Sequence, residues 1–244
     1  MAGGPSTPAL AAAVSDAGGL GFLAGGYRAP DALRAEIAAV RELTDAPFGV
    51  NLFVPRGDEA DPAELAAYAA ALSGEEERQG VAVGSAHYDD DGWEEKLALL
   101  LDARVAAVSF TFGAPPAGVV QRLQAVGSTV LVTVTEVAEA RAAELVGPDG
   151  LVLQGVEAGG HRGSFSDEEG RGELTLLVLL RLVVRAGIAL PLVAAGGIAD
   201  GHGVAAVLTA GATAAQLGTA FLRTAEAGTS PAHREALAAP ARPG

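Results

Sequence analysis

Val193-Ala194-Ala195-Gly196-Gly197-Ile198 and Gln216-Leu217-Gly218-Thr219-Ala220-Phe221 decide how this chain folds. Each couples a short apolar run, which reads as a buried strand, to a glycine turn. The two lie roughly twenty residues apart, about one strand–helix unit. Consecutive parallel strands of a β/α barrel that both end this way form a seat for an anion. Glycine lets main-chain N–H groups approach a phosphate with no Cβ between them, and a following helix start adds its positive end. A purely steric reading has glycine merely letting strand and helix pack closely. Two such turns in succession favour a phosphorylated ligand.

Outward from these turns, strand and helix alternate through almost the whole chain, which argues a parallel sheet. Helices are expected at Pro8–Ala17, Ala32–Leu43 (capped by Asp31), Trp93–Leu101, Pro116–Val126, Glu136–Leu145, Leu174–Ala186 and Gly203–Ala210. Strands start near Gly19, Phe48, Val105, Thr129, Gly150, Leu192 and Ala214. That makes seven, where a closed barrel needs eight. The expected fold is therefore an α/β, TIM-type (β/α)8 barrel lacking its first strand, with an open seven-stranded sheet as the alternative. Residues 1–244 form one domain, with an irregular excursion at about 54–92 that includes a helix at Pro62–Leu72 and a short strand at Val81–Gly84.

Composition narrows the partners. The formal net charge of −14 leaves no basic footprint for nucleic acid or an anionic membrane surface. With 50% hydrophobic but only 5% aromatic residues, Ala, Val and Leu must fill the core. The absence of cysteine excludes disulfides, thiolate metal sites, iron–sulfur clusters and a cysteine nucleophile. The apolar stretch Leu174–Val184 carries Arg181 and is too short to span a bilayer. No basic region followed by an apolar stretch opens the chain, so a cytoplasmic location is expected.

In a barrel of this type the reactive groups stand at the carboxyl ends of the strands. Here those ends carry Asn51, Ser109, Thr111, Thr133, Thr135 and Gln154, then the turns at Gly196 and Gly218-Thr219. The set is polar but uncharged, suiting hydrogen bonds to a planar heterocycle better than hydrolysis, and no metal is expected. The run Gln154-Gly155-Val156-Glu157-Ala158-Gly159-Gly160-His161-Arg162-Gly163 is the most distinctive. His161 emerges from a glycine-rich loop that can reach a ligand above the barrel, and histidine changes charge near neutrality, as a general base should. The plainer reading is a loop histidine satisfied by main-chain carbonyls. His87, in the acidic run Tyr88-Asp89-Asp90-Asp91, is expected to face solvent, and that run lacks calcium-loop spacing. His202 helps to cap a helix, His233 lies on an amphipathic tail helix, and Glu75-Glu76-Glu77 is a solvated face.

Taken in order, Ala2-Gly3-Gly4-Pro5, Gly49-Val50-Asn51-Leu52-Phe53, Val108-Ser109-Phe110-Thr111-Phe112-Gly113, the Gln154–Gly163 run and the two glycine turns resemble nitronate monooxygenase, formerly 2-nitropropane dioxygenase. The resemblance runs from the first residue to about Leu237. It implies an FMN-dependent β/α barrel that oxidises alkyl nitronates, propionate-3-nitronate among them, with O2 to a carbonyl compound and nitrite. It places the FMN phosphate at Gly196, Gly197, Gln216, Gly218 and Thr219, and the flavin ring beside Asn51 and Gln154, with Gly159 allowing close approach. His161 corresponds to the active-site histidine, which binds the nitronate and takes the α-proton of a neutral nitroalkane. A small nitronate and O2 are thus the expected partners, a homo-oligomer is allowed, and nucleic acid and membrane are not expected. The family has a strand before the Ala-Gly-Gly-Pro block and continues past the segment around His233, so the chain is expected to be a fragment or to have an internal start. The rival readings are an FMN-dependent enoyl-thioester reductase, which would need NAD(P)H, and a shortened non-catalytic FMN-binding protein.

Overall fold

A period of two along each strand sends alternate side chains to opposite faces of a sheet. The computed structural model, which describes residues 1–57, 60–166 and 171–239, follows that rule. Strands β1 (Gly21–Ala24), β2 (Phe48–Phe53), β3 (Ala107–Thr111), β4 (Thr129–Val134), β5 (Gly150–Gln154), β6 (Leu192–Ala195) and β7 (Ala214–Gln216) lie side by side in chain order. Every pairing is parallel, and among the described residues β1 and β7 each pair with one neighbour only. This is the curled parallel sheet of a TIM-type barrel, with the seven strands where they were expected.

One face of the sheet packs against helices. Val50, Leu52, Val108, Phe110 and Val130 meet Leu33, Ile37 and Val40 of helix α2 (Pro30–Leu43) and Leu97 and Leu100 of α5 (Trp93–Ala103). Farther along, Val132, Val134, Leu151, Leu153, Leu192 and Ala194 meet Leu176, Leu179, Leu180 and Val183 of α8 (Leu176–Arg185). Each such side chain contributes about 1.5–3 kcal/mol on burial, so this layer fixes the strands. Alternation then assigns Phe22, Asn51, Ser109, Thr111, Thr133, Gln154 and Gln216 to the other, inner face. The polar members gather toward the carboxyl ends.

Local details depart from the sequence reading in instructive ways. Ala29, not Asp31, stands at the N-cap of α2; Pro30 starts the helix, and Asp31 lies in its first turn, where a negative charge suits the helix dipole. No strand forms at Val81–Gly84: residues 81–90 have no regular structure, because no neighbouring strand is there to complete the ladder. The excursion instead holds two helices, α3 (Pro62–Ala71) and α4 (Ser73–Gln79), neither of which buries a residue. Alanine and glutamate favour a helix with no apolar stripe to dock it. Asp91, the last of the acidic run, makes two specific contacts. Its Oδ1 accepts the Tyr27 N–H at 3.1 Å, and its Oδ2 lies 2.8 Å from Nζ of Lys96, whose side chain is only 2% exposed. That pairing ties the end of the excursion to the loop after β1.

Candidate active site

The strand ends meet at one rim, and their inner positions carry amides and hydroxyls. Asn51 on β2 faces its register partner Ser109 on β3. Its side-chain oxygen accepts the hydroxyls of Ser109 at 2.8 Å and Thr111 at 3.0 Å. The acceptor end of the amide is thereby used, and its two N–H donors remain for another partner. Thr111 Oγ1 in turn lies 3.4 Å from Thr133 Oγ1 on β4.

Gln154 closes β5 and works on its own loop. Its Nε2 donates to His161 O at 3.1 Å, and its Oε1 accepts the Gly163 N–H at 2.8 Å. Arg162 folds back as well, giving Nη1 to Gly155 O at 2.8 Å and Nη2 to Val156 O at 3.1 Å. Main-chain carbonyls thus absorb the guanidinium, and His161 is left exposed at the apex. Gln154 retains one N–H for a ligand.

Beside His161 stands a row of rings with no counterpart in the sequence reading. The His161 ring lies edge-on to Phe112, centroids 6.5 Å apart at 85°. Phe112 is followed by Phe53 at 4.8 Å, and Phe53 by Tyr27 at 5.2 Å. Phe112 and Tyr27 hold φ of 73° and 61°, a region that bulky residues enter only under constraint and mostly at functional sites. Gly26 makes room for the row, since a Cβ there would overlap the Phe53 ring. These residues come from three separate strand ends, so no local pattern announces them. Phe53 ends β2 and Phe112 directly follows β3, but only the fold sets them face to edge.

Across the rim, three glycine-bearing loops converge. A Cβ on Gly159 would stand 2.8 Å from Thr219 Oγ1, one on Gly197 2.9 Å from Glu157 Cβ, and one on Gly218 3.6 Å from Met1 Sδ. Gly196 and Gly197 hold φ of 118° and 67°, which glycine alone adopts without strain. The main-chain N–H groups of Gly197, Gly218, Thr219 and Ala220 donate to no other described residue. Gln216 ends β7 just ahead of this turn. Unspent main-chain donors on two successive glycine turns suit an anion.

Behind the rim, Glu139 passed unnoticed in its helix, α7 (Val137–Glu144), because one acid among helix formers carries no signal. It is buried and accepts hydrogen bonds from Thr135 and from the Ser164–Phe165 segment. The other histidines, His87, His202 and His233, are exposed. The cap on helix α9 (Gly201–Thr209) comes from Asp200, which accepts Gly203 N–H at 2.8 Å, and not from His202. Among the described residues no helix is long and apolar enough to cross a membrane, and no three His, Asp or Glu side chains cluster as metal ligands.

Comparison with known proteins places these features in context. A family model described as nitronate monooxygenase matches residues 1–242. A nitronate monooxygenase of Pseudomonas aeruginosa is 48% identical over 97% of this chain and 68% of its own length. A probable nitronate monooxygenase of Bacillus subtilis is 40% identical with the same two coverages, 97% and 68%. Among solved structures, nitroalkane oxidase from Streptomyces ansochromogenes superposes with a TM-score of 0.92 at 48% identity, over 98% of this chain and 69% of that one. FabK from Thermotoga maritima reaches 0.72 at 33% identity, over 96% and 61%.

Proposed function

The chain belongs to the nitronate monooxygenase family, a family of flavin-dependent oxidoreductases, and from that premise we propose that it oxidises alkyl nitronates with O2 to a carbonyl compound and nitrite, using FMN. One observation carries the reading: a single histidine, an aromatic row and a main-chain anion seat share one rim. The donors fit the cofactor. The N–H groups of Gly197, Gly218, Thr219 and Ala220 would hold the phosphate, with Gly196 and Gln216 shaping its walls. Asn51 and Gln154 have N–H donors to spare for the acceptor edge of the flavin ring, and Gly159 keeps that approach open.

FMN, when bound, supplies the electron acceptor that no amino-acid side chain offers. The remaining work falls to residues of the chain. His161 binds the negatively charged nitronate group, and from a neutral nitroalkane it takes the α-proton. Phe112 and Phe53 give the alkyl chain an apolar wall, with Tyr27 at its solvent-exposed end. Gln154 and Arg162 hold the histidine loop against the end of β5, so that the base meets its substrate in one geometry.

Oxygen uptake and nitrite release by the FMN-loaded protein on ethylnitronate, with no nicotinamide present, test the reaction. An obligatory NAD(P)H requirement would instead select the enoyl-thioester reductase reading. In the same assay His161→Asn should lose about 100-fold or more of its turnover of neutral nitroethane while keeping FMN. Undiminished nitroethane activity would remove the histidine from its proposed role.

A further inference from the structure

We propose that Glu139 is the positioning residue of the histidine loop: a buried carboxylate that fastens the segment after β5 to the carboxyl end of β4. The inference rests on the reading of His161 given above, but its structural half stands apart from it.

Glu139 is 5% exposed, and its two oxygens divide their work. Oε2 accepts Thr135 N–H at 2.6 Å and Thr135 Oγ1–H at 2.9 Å. Those bonds are local, four residues back along the chain, and resemble the reach of a glutamate in the first turn of a helix toward the preceding main chain. They hold the residue just ahead of the N-cap, Glu136, which has no side-chain cap bond of its own. Oε1, however, accepts Ser164 Oγ–H at 2.9 Å and Phe165 N–H at 2.7 Å, partners twenty-five and twenty-six residues away. All four partners donate, which is the pattern an ionised carboxylate satisfies and a neutral amide cannot. The long-range pair has no part in the helix and every bearing on the loop.

Between Gln154 and Glu139 the loop is held from both ends. Gln154 takes His161 O and Gly163 N–H on the rim side; Glu139 takes Ser164 and Phe165 from behind. Ser164 and Thr135 are themselves buried. Gly172 packs onto the same point, since a Cβ there would stand 2.6 Å from Thr135 Oγ1. His161 is therefore an exposed ring on a tethered backbone. Removing the rear tether frees the main chain that aims it without touching any rim residue.

Glu139→Gln keeps the size and turns one acceptor into a donor, so either Thr135 N–H or Phe165 N–H must face an NH2 group. Ser164→Ala removes one of the two loop-side bonds to Glu139, together with the Ser166 N–H bond to Ser164 Oγ at 3.3 Å, and leaves both Thr135 bonds to Glu139 in place. Two readouts decide the matter. Hydrogen exchange of the 161–166 amides, measured on the whole protein, should quicken at least about tenfold in Glu139→Gln and less in Ser164→Ala, while β3 amides keep their parent rates. At matched FMN content, turnover of nitroethane should fall at least about tenfold further than turnover of ethylnitronate, because only the former needs an aimed base. The proposal is overturned if both variants leave loop exchange unchanged, if exchange rises equally across the chain, or if the two substrates lose activity in equal proportion. Faster loop exchange together with a fully active His161→Asn variant would keep the tether and discard the base.

Discussion

Replacing Gly197 by alanine presses the proposed anion seat where a positive φ and a close neighbour coincide. At φ of 67° an L-residue is strained by about 1–2 kcal/mol. The new methyl would also stand 2.9 Å from Glu157 Cβ, so the loop after β5 has to yield, an overpacking cost of about 1–3 kcal/mol. Displacing the turn takes one main-chain N–H away from the phosphate. A hydrogen bond to a charged group contributes about 1.5–3 kcal/mol, so FMN should bind roughly 10- to 100-fold more weakly. Gly147→Ala is the matched control: its φ is 75°, yet nothing lies within 4 Å of the added carbon. It carries the same backbone strain, with a fall in Tm of about 2–8 °C, and leaves the seat alone. Flavin fluorescence titration and thermal unfolding of both variants separate the two effects. Equal FMN affinity in Gly197→Ala, Gly147→Ala and the parent would refute the seat, whatever happened to Tm.

Two other outcomes follow from charge. Lys96→Met should destabilise the fold by about 1–3 kcal/mol, less than for a fully buried pair because Asp91 remains 28% exposed. Adding Asp91→Asn should recover part of that loss in chemical denaturation, and strict additivity of the two changes would deny the pairing. With a net charge of −14 the protein repels anions, so raising ionic strength from about 10 to 150 mM should increase kcat/KM for a nitronate several-fold and leave nitroethane nearly unchanged. An identical salt response for both substrates would contradict it.

Much of the fold is legible in the sequence. The seven strands announce themselves through apolar runs closed by glycine or polar residues, and each lies within two or three residues of its expected place. The two turns at Gly196-Gly197 and Gly218-Thr219 stand out in the sequence because they recur one strand–helix unit apart, and the fold brings them to one rim. What escaped depends on distance in the sequence. Glu139 matters through Ser164 and Phe165, Asp91 through Tyr27 and Lys96, and Phe53 through Phe112 and Tyr27. None of these pairings leaves a mark at short range. Val81–Gly84 failed for the opposite reason: its valines match a strand locally, and nothing stands beside them.

The four unspent N–H groups at Gly197, Gly218, Thr219 and Ala220 also say how this rim could be altered. Because these donors belong to the main chain, alanine scanning of polar side chains would pass over the proposed phosphate seat. Backbone shape is the variable that counts. An engineer seeking a looser or tighter hold on the cofactor should therefore change turn geometry and the residues that brace it, and a survey of related chains should compare torsion angles there before it compares side chains.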